Sequence, residues 1–596
     1  MNNRNWYWYW REKRFVAASA QQDDHIIQLT SLHCHDHDTI RRHPDLVGVA
    51  IPHHITDHAT ATSNIEMGEV LSSIMDMSSG EKRLQTLKLV GTLASVAVFS
   101  AVPLFFLALR NSAKRTSRRR RLSFTSVGLG IGTFPPETNV KEPIINAALY
   151  FSHDNGGCPS TQDVAQYIIK PLLEYERFSH VPDLHNHICR PSNHGNGNNN
   201  SKNNGEIQPL DLIREFTICS DDDLLLNQTI VSHLQDTLGA GRQDLPWWEI
   251  LIIRNSGLGP SACVLRIHHV IGDGLALVAA FEKLLTNAED GGVIRTPMNF
   301  KSGASSSTST SENNNGNKKK KRGVLSTIWS LIEATGHCLT LSATKYDDDT
   351  VFSHMNNSQL RHSGKRSAII FPTMPLEFIK QLKIAAGVTV NDILLTAVSQ
   401  TIHDYCQFHN DAVLAKKGSA IQCRALLPVG FPRSTEELND KYTAMRNLWC
   451  MVSCDIGVGH SDILDRMNHI HTKTTEMKER PRAYMQLKIQ NGLGPFLPVS
   501  VGQKTVFDTF SRHSLVLTNV PGPVDTVCFA GKRVDSVQLF FDNLLTQVNL
   551  MSYAGKVYGN IIVDADKLPH SEMFGQLYVK ALLELAKRLN VDVPSA

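Results

Sequence analysis

The chain lacks a strong charge of either sign. Its 60 Lys and Arg face 57 Asp and Glu, and a net charge of +3 argues against a general nucleic-acid binder. It lacks any CxxC pair. Its eleven cysteines, odd in number, are scattered, which excludes a small disulfide-stapled scaffold and points to reduced thiols. With 41% apolar residues and 20% charged, the 596 residues are neither a disordered tail nor a fibrous repeat. The length allows about four domains at roughly 150 residues each, but unpatterned and low-complexity stretches leave two large ones.

The first 84 residues read as a tail. Eight of the 26 histidines fall in the first 60 positions, and the run from His33 to Asp38 has metal-ligand residue types without the spacing of a structural zinc site. No metal is expected. Long apolar runs are also missing, with one exception. Leu89 to Leu109 is 21 residues without a charge, about 31 Å as a helix, long enough for a single transmembrane anchor and too deep in the chain for a cleaved signal peptide. Seven cations follow between Arg110 and Arg121, so this flank is expected on the cytosolic side, against anionic headgroups.

Two polar insertions, Ser192 to Gly205 and Ser302 to Arg322, cannot bury enough apolar surface to order themselves. The second ends in the five cations Lys318 to Arg322. Beyond it Leu325, Ile328, Trp329 and Ile332 share one helical face, for packing between domains or for a membrane surface.

The chemistry concentrates between Trp247 and Phe281. Ile250–Ile253 and Ala262–Ile267 read as buried strands about the turn Gly257-Leu258-Gly259-Pro260. His268, His269, Asp273 and Gly274 follow at a strand end, before a helical pattern, with Asp273 where an N-cap would stand. Histidine suits proton transfer near neutral pH, and Gly272 and Gly274 leave room for a substrate. A structural histidine and a helix cap are the bland alternatives. No third His, Cys or Glu stands nearby at zinc-site spacing.

His268 to Gly274 matches the HHxxxDG signature and resembles the acyl-CoA-dependent acyltransferase superfamily of chloramphenicol acetyltransferase, carnitine acyltransferases and condensation domains. More narrowly, the chain resembles the bifunctional wax ester synthase/diacylglycerol acyltransferase family. Leu245-Pro246-Trp247-Trp248-Glu249 is similar to its PLWE-type segment, Thr389-Val390-Asn391-Asp392-Ile393-Leu394-Leu395 to its VNDVLL helix start, Thr518-Asn519-Val520-Pro521-Gly522-Pro523 to its NVPGP turn, and Ser552-Tyr553-Ala554-Gly555 to its SYxG strand. The resemblance spans about Pro135 to Val591. Arg446-Asn447 stands where the family usually has Gly-Asn, a departure that bears on the acyl tunnel.

The resemblance implies an α/β fold of two chloramphenicol-acetyltransferase-like lobes with a substrate tunnel at their interface; the apolar run Leu89 to Leu109 adds one preceding transmembrane helix, which has no counterpart in the family's minimal members. It implies His269 as general base between acyl-CoA and a fatty alcohol or diacylglycerol, without an acyl-enzyme. His268, Asp273 and Gly274 complete the catalytic motif, Asp273 through an ion pair that orients the loop. Asn391 is the candidate for oxyanion donor or substrate positioning, and Asp392, Asn519, Pro521 and Gly522 are structural. Acyl-CoA is a co-substrate and no resident cofactor is expected; membrane lipid is the further partner, and the oligomeric state is left open.

The expected organisation is a tail (1–84), an anchor (85–110), a basic juxtamembrane segment (111–125), an N-terminal lobe (126–300), a linker (301–322), a crossover helix region (323–364) and a C-terminal lobe (365–596). The expected location is a membrane, the endoplasmic reticulum with cytosolic lobes or a lipid-droplet surface. The competing readings are a non-catalytic lipid-binding protein on the same fold and an HHxxxDG acyltransferase with a non-lipid acceptor. Without the twelve cations of its two basic runs the chain holds 48 basic against 57 acidic residues, so the near-neutral total averages two basic patches with an acidic remainder.

Overall fold

The computed structural model describes residues 122–192, 207–239, 242, 244–295, 324–353, 360–492, 494 and 497–594. All lie in the unit Ser95–Ala596. The tail, the run Leu89–Leu109, the cations Arg110–Arg121 and nearly all of both polar insertions fall outside the described residues. Among the described residues no single helix is long and apolar enough to cross a membrane.

Two mixed sheets carry the architecture. The first contains β1 (Ile144–Phe151), β2 (Ile213–Ile218), β3 (Trp248–Asn255), β4 (Ser261–His268) and β9 (Ser536–Phe541) in the order β9-β1-β4-β3-β2. The second contains β5 (Arg366–Pro375), β6 (Arg424–Gly430), β7 (Trp449–Asp455), β8 (Leu515–Pro521), β10 (Thr546–Tyr553) and β11 (Lys556–Asp564) in the order β7-β6-β8-β10-β11-β5. In the first sheet only the β2–β3 pair is parallel; in the second β8 runs parallel to both its neighbours. The chain crosses between the sheets late: β9, far into the C-terminal half, pairs with β1, Ile145 opposite Phe541 and Tyr150 opposite Ser536.

The predicted strand pair is present, β3 two residues and β4 one residue longer at each end. β3 and β4 read as continuous apolar runs because they are central and buried on both faces; every residue of β4 is buried. The one charge in β4, Arg266, is held by Glu249 and by Asn146 Oδ1 at 3.1 Å. Glu249 also accepts from Arg214 at 2.7 Å and Arg242 at 3.0 Å. A buried carboxylate facing three guanidiniums avoids the penalty of an isolated buried ion.

The second sheet packs on the helices Leu376–Ala386, Val390–Phe408, Ile463–Glu479 and Phe574–Leu589 around one apolar core. The helix Val324–Thr340 is present where an amphipathic helix is expected, but its described part packs against Arg482–Gly492 with Ala334 inward, Glu333 paired to Arg480 and Arg482, and Ile332 exposed. Leu325, Ile328 and Trp329 have side chains outside the described set.

Candidate active site

A cavity of about 300 Å³ lies between the two sheets. The strand period of two determines its walls. From the first sheet come alternate residues, all apolar: Ile145, Ala147 and Leu149 of β1, Leu265 and Ile267 of β4, and Val537, Leu539 and Phe541 of β9. The facing wall is mixed, with Met451, Val516, Thr518, Gln547, Asn549, Met551 and Tyr553. His269, Asp273, Gly274, Trp449, Asn519 and Pro521 also line it.

His269 begins where β4 ends. Its N–H donates to Pro143 O at 2.8 Å, and its ring lies 5.2 Å from the Trp449 ring and 5.9 Å from that of Phe541. Nδ1 is 3.1 Å from Asn447 Oδ1. The Asn447 amide nitrogen donates to His269 O at 2.7 Å and Ser126 Oγ at 3.1 Å. Because a carbonyl only accepts, the amide cannot be turned round, so Oδ1 accepts the Nδ1 proton and Nε2 keeps the ring's lone pair. Burial pushes the imidazole below its ordinary value, against the opposing pull of Asp273 and Asn447. The ring is therefore neutral at neutral pH.

The structure separates the two histidines. His268 is fully buried, accepts from Val270 N at 3.1 Å through Nδ1 and packs 5.0 Å from the Trp247 ring. It does not line the cavity. Burial, with His269 beside it, lowers its pKa to about 3, so it stays neutral and braces the loop instead of facing a substrate.

Asp273 is the expected cap and the expected ion-pair partner. It accepts from Ala276 N at 3.0 Å at the start of the helix Gly274–Glu282, from Arg433 at 2.5 Å and from Leu448 N at 2.7 Å. Arg433 also donates to Arg446 O. On the other side buried Arg177 donates to Val270 O at 2.8 Å. Arg177, Arg433 and Asn447 thus pin the loop 269–273 from three directions. Sequence reasoning missed all three roles; the Arg446-Asn447 pair was noted only as a departure, and the Arg446 side chain is not among the cavity-lining residues.

Asn391 is not on the cavity wall either. It is exposed, and its Oδ1 accepts from Asn519 Nδ2 at 2.7 Å; it reaches the site only through Asn519. Thr389 is the N-cap of Val390–Phe408, and Asp392 closes its capping box. Buried Asp392 also accepts from Thr474 at 2.6 Å and pairs with His471 at 2.8 Å. Burial opposes its ionised form, but these hydrogen bonds prevail and hold the carboxyl below its usual range. Asn519 and Pro521 lie within β8, so the expected turn begins only after them. Gly522 is required there: its N–H donates to Ser552 O at 3.0 Å, and a Cβ would stand 2.4 Å from that oxygen. Tyr553 donates to Val534 O at 2.8 Å, and Ala554 (φ 46°) and Gly555 (φ 73°) form the tight turn into β11.

Two family models match this chain: the wax ester synthase/diacylglycerol acyltransferase catalytic domain over residues 232–394 and the WS/DGAT C-terminal domain over residues 446–586. Together they cover just over half of it. The chain belongs to the wax ester synthase/diacylglycerol acyltransferase family. A Mycobacterium tuberculosis relative named "Probable diacyglycerol O-acyltransferase Tgs4" is 25% identical over 314 residues, 48% of this chain and 61% of the relative's length. The O-acyltransferase WSD of Acinetobacter baylyi is 23% identical over 343 residues, 55% of this chain and 70% of the relative. Among solved structures, the wax ester synthase/diacylglycerol acyltransferase of Marinobacter aquaeolei VT8 is similar over 75% of this chain and 95% of its own, with 15% identity and a TM-score of 0.46.

Proposed function

We propose that the protein transfers a long-chain acyl group from acyl-CoA to the hydroxyl of a fatty alcohol, a diacylglycerol, or both. The observation that carries this is His269, its Nδ1 proton held by Asn447 and its lone pair left on Nε2, on the wall of an apolar cavity between two sheets. Nε2 takes the hydroxyl proton as the oxygen attacks the thioester carbonyl. The tetrahedral oxyanion collapses, the C–S bond breaks, and the proton leaves with the CoA thiol. No acyl-enzyme and no resident cofactor enter the scheme.

A positioned general base contributes about 10² to 10⁴ in rate. Asp273, Arg433 and Arg177 hold the loop that aims it, while His268 braces the same loop by accepting from Val270 N. Asn391 acts through Asn519, and Gly274 leaves space at the helix start, where an added Cβ meets nothing within 4 Å. Residues 126–300 and 365–596 supply the two lobes, with Ser536–Phe541 of the second range completing the first sheet. Residues 89–109 and the cations of 110–121 would hold them at a membrane, the cytosolic face of the endoplasmic reticulum or a lipid-droplet surface, because both substrates partition into lipid.

The test offers labelled acyl-CoA to the purified full chain with fatty alcohol and diacylglycerol in competition. Wax ester, triacylglycerol or both are expected, and His269→Ala should abolish them. Unchanged turnover in folded His269→Ala would remove the catalytic assignment, and no product from any acceptor would favour lipid binding alone.

A further inference from the structure

One wall of the cavity is apolar throughout and mostly aliphatic; the other carries amides. Burying an amide in such a place costs free energy unless it is hydrogen-bonded, and here a relay supplies the bonds. Asn560 donates to Leu539 O and Gln538 Oε1, both at 2.9 Å. Its own oxygen accepts from Asn549 Nδ2 at 3.1 Å, and Asn549 Oδ1 accepts from Gln547 Nε2 at 3.2 Å. The backbone carbonyl of Leu539 fixes the sense of the whole relay, because a carbonyl can only accept. Asn549 therefore cannot turn over. Its amide nitrogen carries two hydrogens and finds one acceptor among the described residues, Asn560, while the residue lines the cavity and is 1% exposed.

We propose that Asn549 is an acceptor-specificity residue that donates this second N–H to an ester carbonyl of a glyceride bound along the amide wall. This rests on the acyl-transfer reading above. A simple long-chain alcohol has one polar atom, the hydroxyl that His269 must meet, and nothing further to offer an amide. A diacylglycerol adds two ester carbonyls flanked by alkyl chains, which matches one amide wall facing one aliphatic wall. The pantetheine arm of CoA also carries carbonyls, but it is polar along its length and would set its own amides against Leu265, Val537 and Leu539.

The test compares wild type with Asn549→Leu and Asn549→Ser, the latter keeping a hydroxyl to donate to Asn560. Each full-length protein is assayed with palmitoyl-CoA and either dioleoylglycerol or hexadecanol. With dioleoylglycerol kcat/KM should fall about tenfold in both variants, and with hexadecanol it should stay within about twofold, which also shows that the proteins fold. Equal losses with both acceptors, or no change with either, would overturn the proposal. So would a raised KM for palmitoyl-CoA with both acceptors, which would give the donor to pantetheine. A wild type that acylates hexadecanol alone would overturn this inference and leave the acyl-transfer reading standing; one that acylates neither would overturn both.

Discussion

Asn447 Oδ1 lies 3.1 Å from His269 Nδ1 while the amide nitrogen of the same residue donates to the backbone carbonyl of His269 at 2.7 Å. One side chain thus fixes both the ring and the loop that bears it. Replacing Asn447 by Leu removes the acceptor that selects the Nδ1–H tautomer, and kcat should fall about 10- to 100-fold with little change in KM. Asn447→Asp supplies a charge next to the imidazole and should raise its pKa. In wild type, burial lowers the pKa of the ring from its ordinary value, so the acid limb of the pH–kcat/KM profile should lie below about pH 6.5. The Asp variant should move that limb upward, and an unmoved limb would show that His269 is not the titrating base.

The Asp273–Arg433 pair makes a different prediction. Their side chains are only 5% and 1% exposed, so removing the cation leaves a carboxylate buried beside the helix cap. Arg433→Met should destabilise the fold by about 3–5 kcal/mol, whereas the double variant with Asp273→Asn should recover much of that loss, because no uncompensated charge remains. Urea unfolding of the two variants measures the difference. Activity should not return in the double variant, since the Arg446 carbonyl has also lost its donor.

The fold's elements were largely legible in the sequence and the site only in part, for reasons visible in single residues. β3 and β4 announce themselves as apolar runs, and Asp273 as a cap, because burial periodicity and capping are local. β9 is different. Its alternate residues Val537, Leu539 and Phe541 face the cavity, but nothing local tells that Ser536–Phe541 leaves the C-terminal half to pair with β1. Asn447 and Arg433 stand 178 and 160 residues from the groups they bind. Long-range pairing of this kind leaves no periodic trace. The pairing of His268 with His269 also misled, since adjacent residues at a strand's end point to opposite sides, and only one of them faces the cavity.

Acid should destabilise this protein through histidines kept neutral inside it. His513 is fully buried, its Nδ1 donating to Thr509 O at 2.6 Å and its Nε2 accepting from Ser453 at 2.8 Å. Burial, followed by the nearby Arg424, depresses its pKa to about 3. The unfolded chain takes up a proton near pH 6.5 and the folded one does not, so the stabilisation is complete above pH 6.5 and is lost as pH falls from there towards 3. His513→Gln removes that dependence. The stability gap between wild type and variant should shrink by about 2 kcal/mol between pH 7 and pH 5. A gap that stays constant in urea titrations would mean that His513 is protonated in the fold.

Chain-length selection should reside in the aliphatic wall. Ala147 lies on β1 between Ile145 and Leu149, and all three line the cavity. It is the smallest of the residues the first sheet presents there, so the space in front of it is the easiest to fill. Ala147→Phe would place a ring into a cavity of about 300 Å³. If acyl chains lie against this face, kcat/KM for octadecanoyl-CoA should fall about tenfold or more while octanoyl-CoA is little affected, because each methylene that loses its place forfeits roughly 0.8 kcal/mol of burial. Leu149→Ala enlarges the same wall and should shift the preference the opposite way. Equal losses for both chain lengths in Ala147→Phe would instead indicate that the ring displaces β1 against β9, disturbing Phe541 and with it the packing around His269.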